Sequence, residues 1–359
     1  MKITRRQFVK MAAYAAAATG VSQFDIFKLQ KALAAAGDQI PVIWFEGLGD
    51  SGCVVSLANY FDGVSSGIDS ILLNSIELKF NSVLMGASGQ LAIDEAEKVY
   101  QGTPPYNQPY VLVVTGGIAN LDGYCIVGQD TDSGNDIPDG LIQMVDAVSR
   151  WQAGAAYVLY VGSCACYGGV NAIGGDSFYD GAYLPEGEGE NVAFVTPPYH
   201  VVNNNYGDFV QHDNYNYNKS LYIPGCPAHP DWIVLSIVHL LTSGMPSRDN
   251  FGRPLTLMGN NIFAETVHQN CPRKTQHDLG IFADHVGDDS KCLVKVGCRG
   301  KDTFCPCPVQ GWNSADVYNS GKLAYCNAPG VNHLCIGCTQ PFFPDVPFNR
   351  GIKNIDTTP

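Results

Sequence analysis

Twelve residues of this 359-residue chain combine donor type and spacing in a way that suits metal chemistry. The chain has 13 cysteines, an odd number, and eight of them lie between Cys271 and Cys338, a clustering that a framework of disulfides alone would not require. In the first half, three glycine-bearing loops each follow an apolar run: Asp50-Ser51-Gly52-Cys53, Gly162-Ser163-Cys164 and Pro224-Gly225-Cys226-Pro227. One carboxylate and three thiolates make a four-ligand set, and glycine lets backbone amides approach the sulfurs. In the last third, His268-Gln269-Asn270-Cys271 opens a second field, followed by Cys292 and Cys298, then Cys305, Cys307 and Cys326, then Cys335-Ile336-Gly337-Cys338. Eight cysteines and a histidine suffice for two more four-ligand sites. Iron–sulfur clusters are the favoured occupants. Structural zinc, held by four cysteines or by three and a histidine, and disulfides stay open as alternatives on residue type alone.

The elements that must carry these loops have an α/β pattern. Apolar runs at 41–45, 110–114 and 155–161 are short, rich in Val and aromatic residues and end in Gly-containing loops, as buried parallel strands do. Between them, 90–100 carries Leu91, Ile93, Ala96 and Val99 at helical spacing, and Asp136-Ile137-Pro138 opens a second helical pattern with Leu141, Val145 and Val148 on one face. A strand at 221–223 and an apolar helix at 231–241 follow. Alternating strands and helices predict a doubly wound parallel sheet, which binds ligands at the carboxyl ends of its strands, where all three loops fall. No GxGxxG follows the first strand, so a nucleotide site is poorly supported. Apolar periodicity fades after Gly244. We therefore expect a sheet domain at 37–245 and a smaller, irregular domain at 246–359 held together by its metal sites.

With 45% hydrophobic residues the chain can bury a large core, and a formal charge of −13 argues against nucleic acid. Residues 1–36 have the order of an export signal. Thr4-Arg5-Arg6-Gln7-Phe8-Val9-Lys10 places a twin-arginine pair before the apolar run 11–18, which is too short to span a bilayer, and Ala34-Ala35-Ala36 supplies small residues for cleavage. The twin-arginine route is associated with proteins that fold and load cofactors before export, so an exported chain can still use its cysteines as metal ligands.

The order Trp44, Asp50, Cys53, Gly-Ser-Cys164-Ala, Pro-Gly-Cys226-Pro, His268-x2-Cys271-Pro-Arg, Cys292-x5-Cys298, Cys307-Pro-x3-Trp312-Asn313 and Cys335-Ile-Gly-Cys338 resembles the small, electron-transferring subunit of nickel–iron hydrogenases over nearly the whole chain after the signal. The resemblance implies a flavodoxin-like domain with a proximal 4Fe-4S cluster on Asp50, Cys53, Cys164 and Cys226. It implies a distal 4Fe-4S cluster on His268, Cys271, Cys292 and Cys298, and a medial cluster on Cys307, Cys335 and Cys338. Cys326 is a candidate fourth medial ligand that would make this cluster 4Fe-4S rather than 3Fe-4S. Asp50 stands where the family usually has the first Cys of Cys-x2-Cys, and oxygen tolerance is a hypothesis attached to that change. Gly52 and Gly169 stand where another oxygen-tolerant type has extra cysteines, and Thr115 stands where relatives commonly carry a proton-path Glu. Cys125, Cys166 and Cys305 are expected to be buried thiols.

The chain lacks the paired CxxC motifs of a nickel–iron centre, so hydrogen cleavage is expected on a large partner subunit in an obligate heterodimer, with a dimer of heterodimers as a further assembly. No apolar 20-residue run follows Arg350, so the expectation is a periplasmic complex without an anchor on this chain, passing electrons to a cytochrome or another acceptor. A free-standing iron–sulfur carrier and a zinc-stabilised binding module are the rival readings.

Overall fold

The computed structural model describes residues 40–60, 67–74, 76–106, 109–118, 126–129, 141–172, 199–201, 209–211, 219–288, 290–311, 326, 333–341 and 343. The expected export signal, the Asp136-Ile137-Pro138 helix start and Cys125 lie outside them.

Five strands, β1 (Ile40–Glu46), β2 (Ile76–Phe80), β3 (Val111–Thr115), β4 (Tyr157–Val161) and β5 (Ser220–Ile223), form the central sheet. All pairings are parallel, in the order β2-β1-β3-β4-β5. This is the flavodoxin-type order, with its reversal between β1 and β3. The strands are apolar throughout because both sheet faces are covered. On one face Val42, Trp44, Val111, Val113, Leu159, Val161, Leu221 and Ile223 pack with Val54 and Leu57 of α1 (Gly52–Ala58) and with α6 (Pro230–Ser243). On the other, Ile43, Phe45, Leu112, Val114, Val158, Tyr160 and Tyr222 meet Ala92, Ile93, Ala96 and Val99 of α3 (Gln90–Tyr100) and Ala147, Val148 and Trp151 of α4 (Met144–Gly154). Two further helices, α2 (Ile68–Asn74) and α5 (Ser163–Tyr167), flank the sheet.

Helix α6 is buried nearly all round because it is sandwiched. His229 caps it, its Nδ1 accepting the Asp231 N–H at 3.1 Å, and Pro230 sits in the first turn, where its missing N–H costs nothing. One side lies on the sheet. The other meets residues beyond 245: Leu257, Ile262, Phe263, Val267, Cys305 and Cys335 belong to the same apolar cluster as the strands, and Trp232 packs edge-on against Phe263 at 5.3 Å. The core therefore runs continuously from the sheet into the cysteine-rich region. There, among the described residues, regular structure is sparse: the ribbon Thr256–Leu257 with Asn260–Asn261, and the short helices α7 (Lys274–Asp278) and α8 (Cys307–Gln310).

Two elements differ from expectation. Leu141–Gln143 is a strand paired antiparallel with Ile126–Gln129, and α4 starts only at Met144 because Gln143 is extended at its N-cap. The ladder to 126–129 satisfies backbone groups that a longer helix would have used. The edge strand β2 has no clear sequence signal, since Glu77 and Lys79, paired with each other, interrupt its apolar pattern and only Ile76 and Phe80 are fully buried.

Candidate metal centres

The proximal group is built by three strand ends. Beyond β1, the Gly47 N–H bonds the Thr115 carbonyl at 2.7 Å, and Leu48 and Gly117 exchange hydrogen bonds at 2.8 and 2.7 Å. The two strand ends cross so closely that a Cβ on Gly47 would lie 2.2 Å from the Gly117 carbonyl oxygen. The crossing delivers Asp50 and Cys53 to the carboxyl edge of the sheet. Asp50 is exposed, its Oδ1 accepting the Gly52 N–H at 2.9 Å. Cys164 lies in α5 behind Gly162, and Cys226 follows β5. Gly162, at φ +88°, passes directly under the first thiol: a Cβ there would stand 2.5 Å from Cys53 Sγ. Burial pushes the Cys53 thiol up to about 12; an Ala228 N–H opposes this, while the neighbouring Cys164, Cys226 and Asp50 add to it. Burial, with Cys164 and Asp50, pushes Cys226 up to about 11. All four expected proximal residues thus come together.

The medial residues do so as well. Cys307 opens α8, and Cys335 and Cys338 flank Gly337, whose φ is +79°. Burial pushes the Cys338 thiol well up, with Cys307, Cys326 and Cys226 as negative neighbours and the Cys226 N–H as an opposing donor. Cys326 is pushed up to about 11 by burial and then by Cys307, so it stands with this group. Cys305, 2% exposed, shares a hydrogen bond with the Cys307 sulfur that, together with burial, holds it as a thiol. Cys166 is fully buried and donates its S–H to the Tyr160 carbonyl at 3.3 Å. Both match the expectation of buried thiols.

A pocket beyond residue 245 is lined by His268, Cys271, Cys292 and Cys298, together with Arg273, Leu293, Val294, Gly300 and Lys301. The His268 N–H bonds the Gly300 carbonyl at 2.8 Å, and the Gly300 N–H donates to Cys298 Sγ at 3.4 Å. Arg273, 4% exposed, braces the rim from below, donating to the carbonyls of Asp288 and Lys291 at 2.6 and 2.9 Å. Burial lowers the His268 pKa, and His277, Lys274 and Lys301 lower it further, which leaves a neutral imidazole suited to coordination.

Contacts link the three groups in the succession proximal, medial, distal that the family resemblance implies. Ser163, in the Cys164 loop, accepts the Gly225 N–H at 3.0 Å from the Cys226 loop and donates to the Cys338 carbonyl, joining proximal to medial. The Arg299 N–H bonds the Cys335 carbonyl at 2.8 Å, and Cys298 acts on the Cys335 thiol as a negative neighbour, joining medial to distal. The residue that sequence reasoning missed is His277, which lies against His268. Its histidine-rich setting in sequence was the available signal. Thr115 is committed to its own strands, its Oγ1 accepting from Trp44 Nε1 at 3.2 Å.

No disulfide joins the described cysteines. The profile for the C-terminal part of the NiFe/NiFeSe hydrogenase small subunit matches residues 263–349, and that of the NADH ubiquinone oxidoreductase 20 Kd subunit matches 51–240. The periplasmic [NiFeSe] hydrogenase small subunit of Desulfomicrobium baculatum is 30% identical over 354 residues, which cover 96% of this chain and 97% of the relative. The chain belongs to the nickel–iron hydrogenase small-subunit family. Hydrogenase-2 small chain of Escherichia coli is 27% identical, with 98% of this chain and 80% of that one covered. Among solved structures, the recombinant [NiFeSe] hydrogenase of Desulfovibrio vulgaris Hildenborough superimposes with a TM-score of 0.64 at 29% identity, covering 88% of this chain and 98% of that one. As a hydrogenase small subunit, the chain is the electron-transfer partner of a large subunit and an iron–sulfur protein, and the nickel–iron centre belongs to the large subunit. The donor chemistry fits. Soft thiolates in glycine-rich loops suit iron–sulfur clusters, and ionising several neighbouring buried thiols together would need a positive charge of the kind that iron supplies. Among the described residues no helix is long and apolar enough to cross a membrane.

Proposed function

We propose that this protein passes single electrons along three iron–sulfur clusters between the nickel–iron site of the large subunit, where dihydrogen gives two protons and two electrons, and an external acceptor, in the direction of hydrogen uptake. The succession of contacts that joins the three donor groups carries the reading. Asp50, Cys53, Cys164 and Cys226 would hold a proximal 4Fe-4S cluster, Cys307, Cys326, Cys335 and Cys338 a medial one, and His268, Cys271, Cys292 and Cys298 a distal one. Such clusters take up and release one electron at a time. The chain's own groups set the conditions. Ser163 and the Cys226 N–H keep the first two donor groups in contact, Cys305 directs an S–H at the Cys307 sulfur, and Arg273 and Lys301 place positive charge at the third. The histidine in the last pocket suits a surface outlet, where a cytochrome or another carrier docks.

The assembly is an obligate heterodimer, with a dimer of heterodimers as the next level, located in the periplasm and exported by the twin-arginine route. The periplasmic names of relatives and the Arg5-Arg6 leader support this location. The domains follow as 1–36, 37–245 and 246–359.

Metal analysis with low-temperature electron paramagnetic resonance on the complex purified through this chain tests the proposal. The expected result is about twelve irons per chain, with nickel on the co-purifying large subunit. Cys326→Ser should convert the medial signal to that of an oxidised 3Fe-4S cluster. A 3Fe-4S signal already present in the unaltered protein would remove Cys326 from the ligand set, and zinc without iron in anaerobically prepared protein would overturn the proposal.

A further inference from the structure

Next to the distal donors stands a histidine that the proposed electron path does not use. Helix α7 is built directly on the ligand loop, its Lys274 N–H bonding the Cys271 carbonyl at 3.0 Å, and it brings His277 against His268. The ring centroids are 4.5 Å apart and the planes cross at 74°, so the two imidazoles meet edge to face. One ligand atom from each of His268, His277 and Asp278 lies within 4.8 Å of the others.

His277 is itself held from several directions. Its Nδ1 meets Asp278 Oδ1 at 3.2 Å, and the other oxygen of that carboxylate accepts from Lys274 Nζ at 2.5 Å. Phe282 contacts its ring at 5.9 Å and 81°, and Lys295 Nζ sits 4.6 Å over the face of Phe282. The succession Lys295, Phe282, His277, His268 ends at the expected ligand. An imidazole bound to iron through one nitrogen keeps torsional freedom about that bond unless its ring is packed, and ring orientation affects donor strength and cluster potential. The main chain of His268 is pinned at Gly300, which leaves the ring as the part still to be oriented.

We propose that His277 is a positioning residue for the distal cluster, its ring packed on His268 so that the ligating imidazole is held in one orientation. The proposal rests on the reading of His268 as a distal ligand.

The test uses the loaded heterodimer with His277→Ala and His277→Phe. Two quantities are measured: the midpoint potential of each cluster by potentiometric resonance titration, and the histidine-nitrogen hyperfine coupling of the distal signal. His277→Ala should shift the distal midpoint and broaden the nitrogen coupling while leaving the proximal and medial signals in place, and His277→Phe should restore both. An Ala variant with unchanged distal midpoint and coupling overturns the proposal. Failure of Phe to restore them does so too, because it assigns the effect to the nitrogens of His277 rather than to its ring. If the Ala variant is recovered without distal iron, the Phe variant decides: distal iron with ordinary coupling supports the proposal, and its loss overturns it. Absence of any histidine coupling in the unaltered protein instead overturns the assignment of His268 as a ligand, and the proposal falls with it.

Discussion

Gly162 holds φ +88° beneath the thiol of Cys53, a place where any side chain meets both backbone strain and a steric clash. Left-handed backbone costs a non-glycine residue roughly 1–2 kcal/mol, and overpacking adds about 1–3 kcal/mol. Gly162→Ala should therefore displace Cys53 and lower the proximal iron content, by up to about four irons per chain. The proximal resonance should weaken while the distal one is retained, as read on the purified heterodimer. The neighbouring Gly169, at φ +50°, shields the Cys164 backbone in the same way, with a Cβ at 2.9 Å from its nitrogen. At this scale much was legible. A Gly-Ser-Cys loop after an apolar run announces both a sharp turn and a sulfur ligand, because the residues that make the turn and the ligand are adjacent in the chain. His277 was not legible, since its importance comes from a ring contact with His268 across irregular backbone.

Helix α6 connects the sheet to the cysteine-rich region through its first turn. With Nδ1 of His229 accepting from Asp231, the proton is on Nε2, which donates to the Gly311 carbonyl at 2.8 Å. Trp232 Nε1 donates to Gln310 Oε1 at 2.7 Å, and Gln310 Nε2 donates to Asp231 Oδ2 at 2.7 Å. These bonds hold the end of α8, the helix that begins with Cys307. Gln310→Ala removes two of them and leaves a largely buried indole N–H unpaired, at a cost of about 1–3 kcal/mol. The expected outcome is a lower thermal midpoint of the complex, with the medial resonance broadened more than the proximal one. The same helix carries His239, whose Nδ1 accepts the Met258 N–H at 3.0 Å and whose pKa burial lowers. The folded state keeps this ring neutral, while the unfolded chain takes up a proton below about pH 6.5. Stability contributed here is present above that value and is lost as pH falls through it. His239→Asn, which keeps an acceptor for Met258, should show a smaller drop in thermal midpoint between about pH 7.5 and about pH 5.5 than the unaltered protein.

At the scale of the whole molecule, the proposed twin-arginine route ties export to cofactor loading. A leader that is read by a receptor for folded proteins requires the clusters to be in place first, so Arg5→Lys with Arg6→Lys should leave cluster-loaded chain and large subunit inside the cell. Cell fractionation with hydrogenase activity staining checks this; continued export of the active complex would remove the leader from the proposed route. The strong negative charge of the chain, −13, contrasts with the cations gathered near the distal pocket, Arg273, Lys274 and Lys301. On the proposed path, electrons therefore leave through a locally different electrostatic surface.

The sequence by itself determined which segments carry the candidate donors: three glycine-flanked loops after apolar runs, a histidine and cysteine field with little regular structure, and an α/β order that requires a parallel sheet. These are properties of short segments, where composition and period decide the outcome. The tertiary structure decided which loops touch. The order β2-β1-β3-β4-β5 places the Asp50, Cys164 and Cys226 loops on one edge, and the Ser163 bond to the Cys338 carbonyl spans 175 residues to set proximal beside medial. It also assigned Leu141–Gln143 to a ladder rather than a helix, and made β2 an edge strand despite its charged middle. Contacts of this kind depend on crossovers and on packing against α6. No local pattern encodes them, because their energy is gained only when distant segments have already met.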